Sequence, residues 1–190
     1  KRLYGKPLKY LDKKKNIRII DQIIFALKKL YLLDEIVLAV PRTKTNEIYK
    51  SVAIKHKIKI SFGPEKNVIK RLVIAAKETS ATDIFRVTSE SPFLYYQPVK
   101  KVLSKYKNKK IDAIFFDNIV DGCGFEIFTL NSMIKSLKYS AQSFNERLFI
   151  CEGIYSFATS QRRYSSTPIK CSRKFSSSVS NFMLFFITKQ

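Results

Sequence analysis

The sequence predicts a three-layer α/β domain on a mostly parallel sheet. Short apolar runs rich in β-branched residues alternate with segments of helical periodicity from Asn16 to Tyr139. Parallel strands joined by crossover helices require that alternation. The 190 residues, 45% of them hydrophobic, can bury one sizeable core but are too few for two comfortable domains. The same fraction excludes disorder over most of the length. Five Gly and six Pro exclude collagen-like and low-complexity classes. No apolar run approaches the roughly 18 residues of a membrane-spanning helix.

Residues 1–12 contain Gly5 and Pro7 and read as a loop. From Asn16 to Leu33, the residues Ile20, Ile23, Ile24, Leu27, Leu30 and Tyr31 fall at helical spacing. Glu35–Val40 is a buried strand ended by Pro41. Thr45 is placed to cap a helix over Asn46 to Lys55. Ile58–Phe62 is the next strand, closed by Gly63-Pro64, and Asn67 caps a helix running through Glu78. Asp83–Thr88 is a strand leading into Ser89-Glu90-Ser91-Pro92. A lysine-rich helix follows from Pro98 to Tyr106, then strands at Asp112–Asp117 and Gly124–Leu130, and a helix capped by Asn131. The domain is expected to span 1–152. Residues 153–190 form a basic, Ser-rich stretch with no acidic residue after Glu152 and fading periodicity until the apolar run Phe182–Ile187; Ser156–Gln190 is read as a poorly packed tail or an atypical terminus.

The 36 Lys and Arg against 15 Asp and Glu leave a net charge of +21, which favours polyanionic partners. Lys outnumbers Arg 27 to 9. Ile, Asn, Phe and Tyr are also abundant, so AT-rich codon usage is the competing reading of that excess. Base readout leans on Arg, so nucleic acid is disfavoured as a partner. Cys123, Cys151 and Cys171 are widely spaced, and His56 is the single histidine, which disfavours a structural zinc site. The odd cysteine count and the lack of a recognisable leader point to reduced thiols and a cytoplasmic location. The chain starts at Lys1 rather than Met and is expected to lack its natural N-terminus.

In open parallel sheets the ligand crevice lies beyond the carboxyl ends of the strands. Pro41-Arg42, Gly63-Pro64-Glu65, Ser89-Glu90-Ser91 and Asp117 onward are therefore the segments to inspect. Arg2 and Lys6 flank Gly5 in a loop, where backbone and cations can approach a phosphate. A plain basic loop is the competing reading. Glu90 follows a strand end, where a carboxylate can hold Mg²⁺ against nucleotide phosphates or simply cap and ion-pair locally. Asp121, Gly122 and Glu126 lie in a glycine-rich stretch before an apolar strand, read either as a stabilised turn or as a substrate loop. Arg71 and Arg86 adjoin apolar runs and either reach a cleft or form surface ion pairs. His56, between Lys55 and Lys57, reads as a solvated helix-end residue. No G-x-S-x-G, Walker A or HExxH motif occurs.

In order, the segments RLYGKPL (Arg2–Leu8), LDEIVLAV (Leu33–Val40), GPEKNVIKRL (Gly63–Leu72), DIFRVTSESPF (Asp83–Phe93) and DGCGFEIFTL (Asp121–Leu130) resemble the cytidylyltransferases that activate acidic or modified sugars. These include the acylneuraminate, 3-deoxy-manno-octulosonate and spore-coat polysaccharide branches. The likeness covers about residues 1–150. It implies a Rossmann-like, glycosyltransferase-A-like nucleotidyltransferase that transfers CMP from CTP to a sugar acid or modified sugar, releasing pyrophosphate, in surface-polysaccharide biosynthesis. It assigns Lys6 and Glu90 to catalysis, and Arg2, Gly5, Lys6, Arg71 and Arg86 to the nucleotide. It gives Asp121, Gly122 and Glu126 to the sugar, and Glu90 with Glu126 to Mg²⁺, the implied cofactor. CTP, the sugar and a homodimer are the implied partners, without membrane.

The sequence departs from the pattern in three places. The family's first strand and most of its nucleotide loop, which precede the position of Arg2, are absent from this sequence; the expectation is that, if they are truly missing, a central sheet edge is exposed and the phosphate site incomplete. Glu90 stands where Asp is usual. Gly124 stands where many members carry a second metal-binding Asp. A non-catalytic basic module binding nucleic acid or a nucleotide sugar is the alternative function.

Overall fold

The computed structural model describes residues 5–89, 92–109, 112–115, 123–139 and 183–188. A small antiparallel pair, β1 (Tyr10–Asp12) and β2 (Ile17–Arg18), precedes α1 (Ile19–Lys28). Then follow β3 (Glu35–Pro41), α2 (Tyr49–His56), β4 (Lys59–Gly63), α3 (Val68–Glu78), β5 (Asp83–Thr88), α4 (Val99–Lys109), β6 (Ala113–Phe115), β7 (Glu126–Thr129), α5 (Leu130–Tyr139) and β8 (Met183–Thr188). The main sheet has the order β4-β3-β8-β5-β7-β6. β3, β4, β5 and β6 point one way, while β7 and β8 run against them. The expected α/β architecture is present, with four of the six strands sharing one direction; the β3–β4 ladder is parallel and the other four ladders are antiparallel.

The centre of that sheet is not an exposed edge. β8 pairs antiparallel with β3 along Glu35–Ala39 and with β5 along Asp83–Thr88. Six residues of the stretch read as a poorly packed tail thus stand in the middle of the sheet. The expected boundary at residue 152 lies outside the described residues.

Adjacent strand residues face opposite sides of the sheet, which makes the three layers. Leu38, Val40, Phe85, Val87, Phe125 and Ile127 pack with Ile20, Ile23, Ile24 and Leu27 of α1, Tyr49 and Val52 of α2, and Val99 and Leu103 of α4. Val37, Ala39, Ile84 and Phe128 pack on the other face with Ile69, Leu72 and Ala76 of α3 and Met133 of α5. Each fully buried Ile, Leu or Phe side chain contributes about 1.5–3 kcal/mol.

Local chemistry corrects several expected boundaries. Asn16 is left-handed at φ 54°, so the helix starts at Ile19. Arg18 instead closes its first turn, its backbone N–H donating to Asp21 Oδ2 at 2.9 Å. Thr45 does not cap α2; residues Lys44–Ile48 form a 3-10 turn after Thr43. Asn67 does cap α3, accepting from the Lys70 N–H at 2.8 Å. At α5 the cap is Thr129, whose Oγ1 accepts from the Ser132 N–H at 3.0 Å, and Asn131 is already helical.

His56 also differs from expectation. It is 4% exposed rather than solvated. Its lysine neighbours misled because the last turn of α2 lies against α1: the His56 ring packs edge-on to Phe25, and the His56 carbonyl accepts from Lys28 Nζ at 2.5 Å. Among the described residues no helix is long and apolar enough to cross a membrane.

Candidate functional site

The carboxyl ends of β3 and β4 are tied into one rim. Pro41 and Gly63 are register partners. The Arg42 N–H donates to the Gly63 carbonyl at 2.9 Å, and Arg42 Nη2 to the Phe62 carbonyl at 3.2 Å. Asn46 Nδ2 donates to the Pro41 carbonyl at 3.0 Å. At the end of β5, Ser89 is fully buried. The loops after β5 and before β7 are joined by the Tyr95 N–H donating to the Cys123 carbonyl at 2.8 Å. These segments border the crevice that such sheets offer to ligands.

Gly5 and Lys6 begin a 3-10 turn over Lys6–Leu8. The Gly5 carbonyl accepts from the Leu8 N–H at 2.9 Å, and the Lys9 carbonyl from the Ile19 N–H at 2.9 Å, which fastens the turn to the start of α1. Gly5 has φ +71°, and a Cβ added there would meet no atom within 4 Å, so backbone conformation rather than crowding favours glycine. Pro7 fixes the first turn, and Leu8 packs on the core. Lys6 is half-buried.

Arg71 sits in the first turn of α3 with no exposed surface. Its Nη1 donates to the Pro64 carbonyl at 2.6 Å and the Glu65 carbonyl at 3.2 Å. Arg86 and Glu126 are opposite residues on β5 and β7 and form a buried ion pair. Arg86 and Glu126, chosen separately from the sequence, are thus brought together. Arg71 is brought to the rim behind Gly63. Arg2, Glu90, Asp121 and Gly122 lie outside the described residues.

The Glu126 carboxylate is buried, and its Oε2 is engaged by the Arg86 guanidinium. Among the described residues no group of three His, Cys, Asp or Glu could hold a metal ion.

A second polar cluster went unnoticed in the sequence. Asp21, 1% exposed, accepts from Arg18 Nε at 2.8 Å and Nη2 at 3.1 Å, from His56 Nε2 at 2.5 Å and from Lys55 Nζ at 3.3 Å. Burial pushes its carboxyl up, but the hydrogen bonds from Arg18 and His56 outweigh that and hold it well below the usual carboxylate range. An acidic residue three positions after Arg18, placed to accept from the backbone N–H just ahead of the helix, was the available signal. The partner from α2 had none.

Open α/β sheets of this kind place their ligand crevice beyond the carboxyl ends of the strands, where the loops after β3, β4 and β5 lie. The sequence profile of the cytidylyltransferase family matches residues 1–189. The chain belongs to that family. It is similar to an uncharacterised protein of Methanocaldococcus jannaschii, 26% identical over 126 residues, which are 66% of this chain and 52% of that protein. The chain thus spans about half the length of that curated relative. A solved cytidylyltransferase from Leptospira borgpetersenii serovar Hardjo-bovis shares the fold at a TM-score of 0.65 and 20% identity, over 74% of this chain and 60% of that one.

Proposed function

We propose that the protein acts in transferring CMP from CTP to a sugar acid or modified sugar, in surface-polysaccharide biosynthesis in the cytoplasm. The observation that supports this reading is the family match across residues 1–189. The sugar hydroxyl oxygen bonds to the α-phosphorus of CTP. The bond from that phosphorus to the bridging oxygen breaks, pyrophosphate leaves with the electron pair, and the hydroxyl proton passes to solvent or base. Lys6, with Arg2, would offset charge on the phosphates. Glu90 would hold Mg²⁺ against the phosphates. Asp121 and Gly122 would line the sugar side.

The test is pyrophosphate release from CTP with a panel of sugar acids and modified sugars. Turnover that depends on CTP, and on both Lys6 and Glu90, supports the reading. Full turnover by Lys6→Ala and Glu90→Ala proteins rejects the assigned roles. The charge of +21 favours one competing reading, a basic module that binds polyanions without chemistry.

A further inference from the structure

We infer that Arg71 is a positioning residue that shapes the Gly63–Lys66 rim from behind, rather than a group that touches the nucleotide; the inference rests on the cytidylyltransferase reading. Three observations converge on it. Arg71 has no exposed surface, so its charge cannot meet a ligand directly in this arrangement. Its Nη1 bridges two successive carbonyls, Pro64 and Glu65, which lie in neither strand nor helix. Its stem also passes so close to Gly63 that a Cβ there would lie 2.7 Å from Arg71 Cγ and 3.0 Å from Arg71 Cα.

The position is costly for a cation. The first turn of a helix is the positive end of its dipole, and a buried guanidinium needs compensating acceptors. The two carbonyls supply them for Nη1, and in return the loop between β4 and α3 is pinned. The rim extends further, because the Gly63 carbonyl accepts from the Arg42 N–H. Arg71 thereby fixes the ends of two neighbouring strands at the crevice. Contacts made by such a rim hold substrate and transition state alike, so their loss raises KM more than it lowers kcat.

The experiment compares Arg71→Lys, Arg71→Met and Gly63→Ala in the full chain. The first readout is hydrogen exchange at the Arg42, Glu65, Lys66 and Asn67 amides, with β5 and α5 as internal references. The second is steady-state kinetics with CTP as the varied substrate. In Arg71→Met, which loses both carbonyl contacts, exchange at the rim rises and the KM for CTP increases by about tenfold. Its kcat stays within about twofold, and Arg71→Lys falls between the two. Gly63→Ala displaces the same rim without altering any charge and shifts KM in the same direction, which keeps the test decisive if Arg71→Met fails to fold. Unchanged exchange at the rim, or a fall in kcat at unchanged KM, overturns the inference. If the unsubstituted chain does not turn over CTP, the functional reading fails, and the exchange readout alone decides whether Arg71 positions the rim.

Discussion

His56 Nε2 lies 2.5 Å from Asp21 Oδ1, joining the last turn of α2 to the first turn of α1. The carboxyl of Asp21 is held below its ordinary value of 3.8, so the Nε2–H donates to an ionised acceptor. A carboxyl with a lowered folded pKa stabilises the fold above its unfolded value and loses that contribution as pH falls through the folded one. Asp21→Asn should therefore lower the urea midpoint at pH 7 and should narrow its deficit against the unsubstituted protein as pH drops below about 3.8. Urea titrations at several pH values read this out. A deficit that stays constant down to strong acid would show that the charge on Asp21 is not what joins the two helices.

The Arg86–Glu126 pair predicts strong coupling across β5 and β7. Removing either member alone takes away the opposing charge of a buried group and should cost about 3–5 kcal/mol, whereas Arg86→Met with Glu126→Leu should recover most of that loss. A double-mutant cycle in urea measures the coupling. Additive losses would mean that the two side chains act independently.

Glu126→Gln separates a structural role from metal binding. The variant should be less stable but should keep the Mg²⁺ concentration for half-maximal pyrophosphate release. A shift in that concentration would place the ion on Glu126. Chelation by EDTA should abolish turnover in both proteins.

Salt distinguishes catalysis from polyanion binding. A basic module making several phosphate contacts should lose affinity on the order of a thousandfold between about 50 and 200 mM salt. Binding of CTP at a built site should fall far less over the same range. Fluorescence titration with a labelled oligonucleotide and with a CTP analogue checks both.

Phe185→Pro tests the strand between β3 and β5. Phe185 stands opposite both Val37 and Arg86, and proline removes a ladder donor where strands flank both sides. The variant should lose cooperative thermal unfolding by circular dichroism. An unchanged melt would show that β8 adds nothing to the sheet.

Much of the fold was legible because its signals are local. The apolar runs of β3, β4 and β5, and the Asn67 cap of α3, can be read within a few residues of sequence. β1 and β2 were missed because strands of two and three residues carry no periodicity. The remaining misses depended on contacts distant in sequence. Phe182–Ile187 was visible as an apolar run, but nothing in it shows that it would pair with residues near 37 and 86. His56 looked solvated because its flanking lysines are local and its partner Asp21 is not. At the candidate site, Arg71, Arg86 and Glu126 were each visible as charges beside apolar runs. The antiparallel register that sets Arg86 against Glu126, and the loop carbonyls above Arg71, belong to tertiary structure.

The central place of β8 bears on how the protein acquires its shape. Until residues 183–188 are available, β4-β3 and β5-β7-β6 are two half-sheets whose inner edges have unfilled hydrogen bonds. Closure joins segments about 150 and 100 residues apart, the kind of distant pairing that slows folding. During synthesis the inner edges of β3 and β5 are thus the places where a nascent chain is most open to unwanted strand addition. A chaperone that shields extended apolar segments would have its greatest effect on yield during that interval.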